Sequence, residues 1–127
     1  MSTLVLPDWA VVSDQRREHI ARVVALVESW AHEMGVERSE AERWRRAALL
    51  HDSLRDADEA TLARHVARGA WPVKLWHGPA AAAAAASRGE ADVGVINAVR
   101  YHSVGFSGWD RAGRMLYLAD FLEPDRD

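Results

Sequence analysis

Residues 20–35, IARVVALVESWAHEMG, carry the clearest structural signal in this chain. Apolar side chains recur there every three or four positions, at Ile20, Val23, Val24, Val27, Trp30, Ala31 and Met34. That spacing places them on one face of an α-helix. Gly35 follows at once, and a glycine after the last turn commonly ends a helix in the left-handed conformation. The stretch therefore predicts an amphipathic helix with one buried face.

Two further helix starts are predicted from capping boxes, in which two side chains satisfy free backbone N–H groups at a helix start. Ser39 and Glu42 have the required spacing and open a second helix. Asp56 and Glu59 have the same spacing and open a short third helix, which Gly69 ends.

Three more helices are predicted in the second half of the chain. Gly78 and Pro79 suit the N-cap and first position of a helix through the alanines of residues 80–86. A fifth helix is expected over about residues 92–102, and a last one through residues 115–122. Short apolar runs with strand propensity are too few and isolated to build a sheet. We therefore expect an all-α fold, a compact bundle of about six helices.

A chain of 127 residues has the length of a single domain, which we take as residues 1–127. Hydrophobic residues make up 49% and charged residues 28% of the chain, a balance that excludes intrinsic disorder. The 16 basic and 19 acidic residues give a formal net charge of −3, so no basic field favours nucleic acid. No apolar run approaches the ~20 residues of a membrane-spanning helix. We expect neither a nucleic-acid nor a membrane partner.

The chain has no cysteine, which excludes disulfides, thiolate metal sites, iron–sulfur clusters and cysteine nucleophiles. This is consistent with a reducing compartment, and the first residues show no signal-peptide pattern. We therefore expect a cytoplasmic protein. The phosphate-binding loop, the dinucleotide-binding glycine motif, the serine-hydrolase elbow and the HExxH zinc motif are all absent.

Histidines and aspartates instead fall on or beside the apolar faces of the predicted helices. The residues concerned are His19, His51, Asp52, His77, His102 and Asp120. Burying such a group without a partner costs on the order of several kcal/mol. A metal ion shared by these side chains would give all of them a partner. A single histidine on an apolar face is more often a hydrogen-bonded core residue, and that alternative stays open for each. His32 and His65 are expected to be ordinary surface or rim residues.

The order of these residues resembles the HD-domain metal-dependent phosphohydrolase superfamily. Four phrases are similar to the YqeK-like symmetrical diadenosine tetraphosphate hydrolases: LLHDSLRD at 49–56, WHGPAA at 76–81, VRYHSVG at 99–105 and LADFLEPDR at 118–126. The resemblance extends from about residue 16 to residue 126, nearly the whole chain. It implies an HD-domain helical bundle as the fold.

The resemblance also implies a centre of two metal ions. It assigns His19, His51, Asp52 and Asp120 to the first ion, with Asp52 bridging to a second ion that His77 and His102 complete. The similar proteins use iron. Imidazole and carboxylate ligands suit divalent or trivalent iron, and equally manganese, cobalt or zinc.

The implied reaction is hydrolysis of a small-molecule nucleotide, diadenosine tetraphosphate, to two ADP. Two neighbouring cations activate water at neutral pH and neutralise phosphate oxygens, so an acidic protein can still bind a polyphosphate. Asp52, Arg55 and Glu123 are the candidate catalytic residues, and Arg55, Ser103 and Arg126 the candidate substrate-binding residues. Each arginine could equally be a surface residue, and Ser103 and Glu123 could serve only to end helices.

Two other functions remain open at this point. Some HD proteins use a similar ligand set for oxygen chemistry, so a di-iron oxygenase is an alternative. The other is a non-catalytic, metal-stabilised nucleotide-binding domain, because the similar proteins continue past residue 126 with a helical segment that this chain lacks. Self-association as a homodimer is a further expectation from the family. Trp76 and Trp109 could stack on adenine, although packing is the commoner role of a tryptophan.

Overall fold

Helices account for all the regular secondary structure in the computed structural model, which describes residues 4–66, 69 and 71–123. Within these residues there are six α-helices and no strand. The helices are α1 (Asp14–Met34), α2 (Arg38–Leu50), α3 (Glu59–Ala63), α4 (His77–Ser87), α5 (Val93–Tyr101) and α6 (Arg111–Leu122), with a 3₁₀ turn at Val73–Leu75. The all-α prediction and the expected number of helices are confirmed.

Helix α1 follows the predicted pattern closely. Ser13 caps its start by accepting a hydrogen bond from the backbone N–H of Arg16 at 3.1 Å. Gly35 ends it with φ of 64°, the left-handed conformation that glycine adopts without strain. The apolar face is buried except towards its C-terminal end, where Trp30 is half-buried and Met34 is 53% exposed. Met34 was predicted to be buried, but it lies in the last turn, where the helix is no longer covered.

The two predicted capping boxes do not form. Helix α2 begins at Arg38, one residue before Ser39, and no side chain caps its start. Helix α3 begins at Glu59 behind Asp58, which accepts a hydrogen bond from Thr61 N–H at 2.8 Å. Asp56 instead accepts a hydrogen bond from the backbone N–H of Ser13 at 2.8 Å, tying this segment to the start of α1.

Helix α4 starts two residues earlier than predicted, at His77, because the preceding 3₁₀ turn leads directly into it. Gly78 is thus inside the helix rather than its cap, and it lies where α4 crosses the end of α5. A Cβ atom at Gly78 would approach the carbonyl oxygens of Arg100 and Val99 to 2.9 and 3.2 Å. The glycine allows the two backbones to pack closely at this point.

The core lies where α1 packs on α2, α4 on α5, and α6 on both α2 and α5. Trp44 is fully buried there, surrounded by small and branched side chains from these helices. A smaller apolar cluster lies under the segment between α2 and α4 and includes Leu54, Leu62 and Trp76. No helix of the described residues is long and apolar enough to cross a membrane.

Candidate metal centre

The helices bring all six predicted ligand residues to one site. His19 lies within α1 and Asp120 within α6, while His77 is the first residue of α4. His51 and His102 cap the C-terminal ends of α2 and α5, and Asp52 follows His51 directly. The four histidines and Asp52 are buried, and the Asp120 side chain is about one fifth exposed, at 22%. Residues far apart in the chain thus meet at a single buried place.

The first group of side chains surrounds Asp52 and Asp120. His19 Nε2 lies 2.9 Å from Asp120 Oδ1 and 3.5 Å from Asp52 Oδ2. His51 Nε2 lies 3.5 Å from the same Asp52 oxygen and 3.6 Å from Asp120 Oδ1. One potential ligand atom from each of the four residues lies within 4.8 Å of all the others. This is the spacing at which four side chains can hold one ion.

A second group uses the other oxygen of Asp52. Its Oδ1 lies 3.1 Å from His102 Nε2 and 3.5 Å from His77 Nε2. These three side chains also offer ligand atoms within 4.8 Å of one another. The two oxygens of a single carboxylate therefore face two different pairs of histidines.

Backbone and side-chain acceptors orient the imidazole rings. His51 Nδ1 donates to the carbonyl of Ala48 at 2.6 Å, and His102 Nδ1 donates to that of Val99 at 2.7 Å. A carbonyl can only accept, so Nδ1 carries the proton in both rings. In each ring Nε2 then faces the carboxylates and can bind a metal ion once it is deprotonated, as in metal-binding histidines whose other nitrogen donates a hydrogen bond.

One atom of this cluster has no partner. His51 Nε2 is buried and lacks a hydrogen bond to any of the residues that the structure describes. An unpaired buried polar atom costs roughly 1–3 kcal/mol, unless a ligand satisfies it. Together with nitrogen and oxygen donors at ion-binding spacing, this atom shows that the residues present fit first-row transition-metal ions.

The electrostatics of the cluster keep its carboxylates ionised. Burial alone would raise the pKa of Asp52, but the imidazoles of His51, His102 and His77 outweigh it and hold that pKa well below its usual value. Burial would also raise the pKa of Asp120, but the hydrogen bond from His19 and the charge of the His51 imidazole, 3.6 Å away, lower it overall. Burial lowers the pKa of His51, yet the two carboxylates raise it overall to about 9.

His77 differs from the other rings in its surroundings. Burial, followed by the neighbouring His102, lowers its pKa to about 3, so it is a neutral imidazole at pH 7. Ser103 Oγ lies 3.3 Å from His77 Nε2. A neutral imidazole is the form that binds a metal ion.

A cavity of about 350 Å³ opens onto the cluster. Asp52, His77, His102 and Asp120 form part of its lining, which places the candidate ligands in contact with solvent-accessible space. Three cationic side chains also line it: Arg16, Arg55 and Lys74. The site thus combines a buried carboxylate–imidazole cluster with positive charge, an arrangement that suits an anionic ligand.

The predicted substrate-binding and catalytic residues are placed as follows. Arg55 and Ser103 line the cavity. Glu123 is 1% exposed and accepts hydrogen bonds from His19 Nδ1 and from Arg22 Nε, both at 3.0 Å. Arg126 lies outside the described residues.

Several cavity residues were missed in the sequence. Arg16 Nη1 lies 3.2 Å from Asp52 Oδ2 and forms an ion pair with it. Its position one helical turn before His19 is a signal that could have found it. Tyr117 similarly lies one turn before Asp120 on α6. Lys74 lies in the connector before α4 and gave no comparable signal.

Trp76, Trp109, His32 and His65 lie outside the cavity lining. Trp76 and Trp109 are buried, and their indole N–H groups donate to the carbonyls of Trp71 and Asn97. Both therefore have a packing role. His32 is exposed and His65 is half-buried, and neither belongs to the ligand groups found among the described residues.

Comparisons with known proteins identify related chains. A sequence model of the family described as HD domain matches residues 16–125. The chain is 27% identical over 123 residues to the Bacillus subtilis (strain 168) protein named bis(5'-nucleosyl)-tetraphosphatase, symmetrical, covering 91% of this chain and 64% of the relative. The chain therefore spans slightly less than two thirds of that relative.

A solved structure has the same fold. The crystal structure of a predicted HD superfamily hydrolase involved in NAD metabolism from Clostridium acetobutylicum matches with a TM-score of 0.74 at 22% sequence identity. The match covers 91% of this chain and 65% of that one.

Proposed function

This chain belongs to the HD domain family, and we propose that it is a metal-dependent hydrolase of dinucleoside polyphosphates. The proposed substrate is diadenosine tetraphosphate, cleaved symmetrically to two ADP. The named activity of the Bacillus subtilis relative supports this choice. The resemblance of the four motif phrases to YqeK-like proteins supports it as well.

One observation carries the proposal. Asp52 directs its two oxygens at two histidine pairs, on the wall of a cavity that three cationic side chains also line. We propose that His19, His51, Asp52 and Asp120 hold one metal ion, and that Asp52, His77 and His102 hold a second. When bound, two such ions supply activated water at neutral pH and neutralise the charge that develops on a phosphoryl group. Iron is the proposed metal on the family resemblance, with manganese, cobalt or zinc compatible with the ligands.

The chain's own residues bind and orient the substrate in this proposal. Arg55 and Lys74 bind phosphate oxygens from the cavity wall, and the Ser103 hydroxyl hydrogen-bonds to a phosphate. Arg16 holds the Asp52 carboxylate in place through its ion pair. Arg126 remains a proposed phosphate ligand on the family resemblance alone.

Glu123 acts in this proposal by holding His19. Its carboxylate accepts a hydrogen bond from Nδ1–H, which turns Nε2 of that ring towards Asp52 and Asp120. Because Glu123 is buried and also paired with Arg22, its role is to position a ligand rather than to exchange protons with solvent.

The proposal is tested by product analysis. Protein purified without chelator is loaded separately with iron, manganese, cobalt or zinc and incubated with diadenosine tetraphosphate, and the nucleotides are separated by chromatography. We expect ADP as the only nucleotide product. Equal amounts of AMP and ATP would contradict symmetrical cleavage, and no turnover with any of the metals would contradict the function itself.

A matched pair of variants connects activity to the cluster. Asp52→Asn should abolish turnover, because it removes the charge that both ligand groups share. Asp56→Asn, an exposed aspartate in the same segment, should retain it. Metal binding without hydrolysis in the wild type would favour a binding domain, and turnover that depends on dioxygen would favour an oxygenase.

A further inference from the structure

Two aromatic side chains form one wall of the cavity. Tyr117 and Phe121 are four residues apart on α6, so they lie on the same face of that helix, and both line the cavity. Tyr117 is 40% and Phe121 is 55% exposed. We call this pair the aromatic wall.

One ring of the aromatic wall packs against a buried tryptophan. The Tyr117 ring contacts the ring of buried Trp109, with centroids 5.5 Å apart. Trp109 is itself fixed by its hydrogen bond to the Asn97 carbonyl. Tyr117 is thus anchored in the core on one side and reaches the cavity on the other, which pre-orders a flat surface there.

The wall and the cationic residues form parts of the same cavity. Arg55 and Lys74 attract phosphate, whereas exposed aromatic rings offer flat faces on which nucleobases stack. An inorganic polyphosphate would use only the cationic part. A ligand that uses both parts carries phosphates and a planar base in one molecule.

We propose that the aromatic wall binds a nucleobase of the substrate by stacking. This inference rests on the proposed function and adds the moiety that would be recognised at the same site. One nucleoside lies against Tyr117 and Phe121, and its phosphates extend towards Asp52. The protein then selects nucleoside polyphosphates over inorganic ones. Because every base has a π-face, stacking by itself selects a base without specifying which one.

The test compares binding of ADP with binding of inorganic diphosphate by the metal-loaded protein, measured by calorimetry. Stacking of one base contributes about 1–3 kcal/mol, so we expect ADP to bind at least about fivefold more tightly than diphosphate. Tyr117→Leu and Phe121→Leu should each weaken ADP binding about fivefold and leave diphosphate binding unchanged. Tyr117→Phe, which keeps the ring, should bind ADP as the wild type does.

Leu118→Ala is the matched control. Leu118 is 47% exposed on the same helix but does not line the cavity, so its loss should change neither affinity. Thermal unfolding of each variant checks the fold. Phe121→Leu leaves the Tyr117–Trp109 contact intact, so it tests the wall even if Tyr117→Leu is destabilised.

Equal wild-type affinities for ADP and diphosphate would overturn the inference, as would variants that weaken both ligands equally. The two proposals fail separately. Cleavage of diadenosine tetraphosphate without discrimination between ADP and diphosphate would refute the aromatic wall alone. Discrimination that depends on both rings, without cleavage of that substrate, would uphold the wall and refute the proposed function.

Discussion

Glu123 and His19 are joined by a hydrogen bond of 3.0 Å between the carboxylate Oε1 and the imidazole Nδ1. The same carboxylate accepts from Arg22 Nε at 3.0 Å through its other oxygen. The end of α6 is thus tied to the middle of α1 at the point where His19 enters the cluster. This contact determines which nitrogen of His19 faces the candidate metal site.

We predict that Glu123→Gln lowers metal affinity about tenfold, because the neutral amide remains an acceptor but no longer strengthens the basicity of His19. Competition with a coloured chelator measures the change. Glu18→Gln is the control, since Glu18 also lies near Arg22, at 3.9 Å, but is 70% exposed and outside the cluster. Equal metal affinity in the Glu123 variant and the wild type would refute the positioning role.

We predict that His77→Ala retains about one metal ion per chain where the wild type holds two, because only the second ligand group loses a member. Asp52→Ala should hold neither ion tightly, since both groups share that carboxylate. Elemental analysis after dialysis without chelator gives the ratios. His65→Ala controls for the loss of an imidazole outside the cluster. If the His77 variant retained two ions, His77 would not be a ligand of the second ion.

We predict that Gly78→Ala destabilises the fold by about 1–3 kcal/mol, the usual cost of overpacking a close contact. The added Cβ would meet the backbone of α5 at 2.9 Å and His102 Cε1 at 3.3 Å, so α4 and α5 must separate. Metal affinity should fall as well, because His77 and His102 lie at this crossing. Denaturant unfolding measures the first effect. Glycine to alanine within a helix otherwise stabilises by about 0.5–1 kcal/mol, so a gain in stability would contradict the prediction.

We predict that Asp92→Asn lowers the free energy of unfolding by about 1 kcal/mol at pH 7, as expected for a partly exposed, charge-assisted pair. Asp92 accepts hydrogen bonds from Arg43 Nε at 2.7 Å and Nη2 at 3.1 Å, and these lower its pKa to about 2. Asparagine keeps the oxygen that caps α5, so the difference reports the pairing with Arg43 rather than the cap.

This contribution of Asp92 has a defined pH dependence. Its folded pKa lies below the unfolded value of about 3.9, so the stabilisation is fully present above that value and is lost as the pH falls towards about 2. Wild type and Asp92→Asn should therefore converge in stability in acid. Asp8→Asn, in a more exposed pair with Arg88, should differ little from the wild type throughout. A constant difference between pH 2 and pH 7 would refute the assignment.

The helix class and the two ends of the apolar pattern in α1 were predictable because they depend on neighbours within a few residues. The apolar spacing of α1 and the left-handed Gly35 are properties of one helix and its own face. The residue that caps a helix start was less predictable, because several neighbouring side chains could accept the same backbone hydrogen bond. Asp58 rather than Asp56 caps α3, because Asp56 accepts a hydrogen bond from the backbone N–H of Ser13, 43 residues earlier.

The candidate site was likewise predictable only in part. Motif resemblance was sufficient to nominate six ligand residues, because their types and order are properties of the chain. It also implied that Asp52 bridges two ions, but the distances from its two oxygens to the two histidine pairs depend on how α1, α2, α4, α5 and α6 pack. The packing of the helices also places Arg16, Tyr117 and Phe121 in the cavity lining, which the motifs did not indicate.

The amino-acid sequence was therefore enough to establish a helical protein with histidines and aspartates beside its apolar faces. The meeting of these groups came from tertiary packing alone: His19 and Glu123 hydrogen-bond across 104 residues of chain, and Asp52 and His102 meet across 50. Periodicity reports which face of a helix is buried, but not which side chain of another helix lies opposite it. Metal binding and base stacking require those distances to within a fraction of an ångström, and only the packed core sets them.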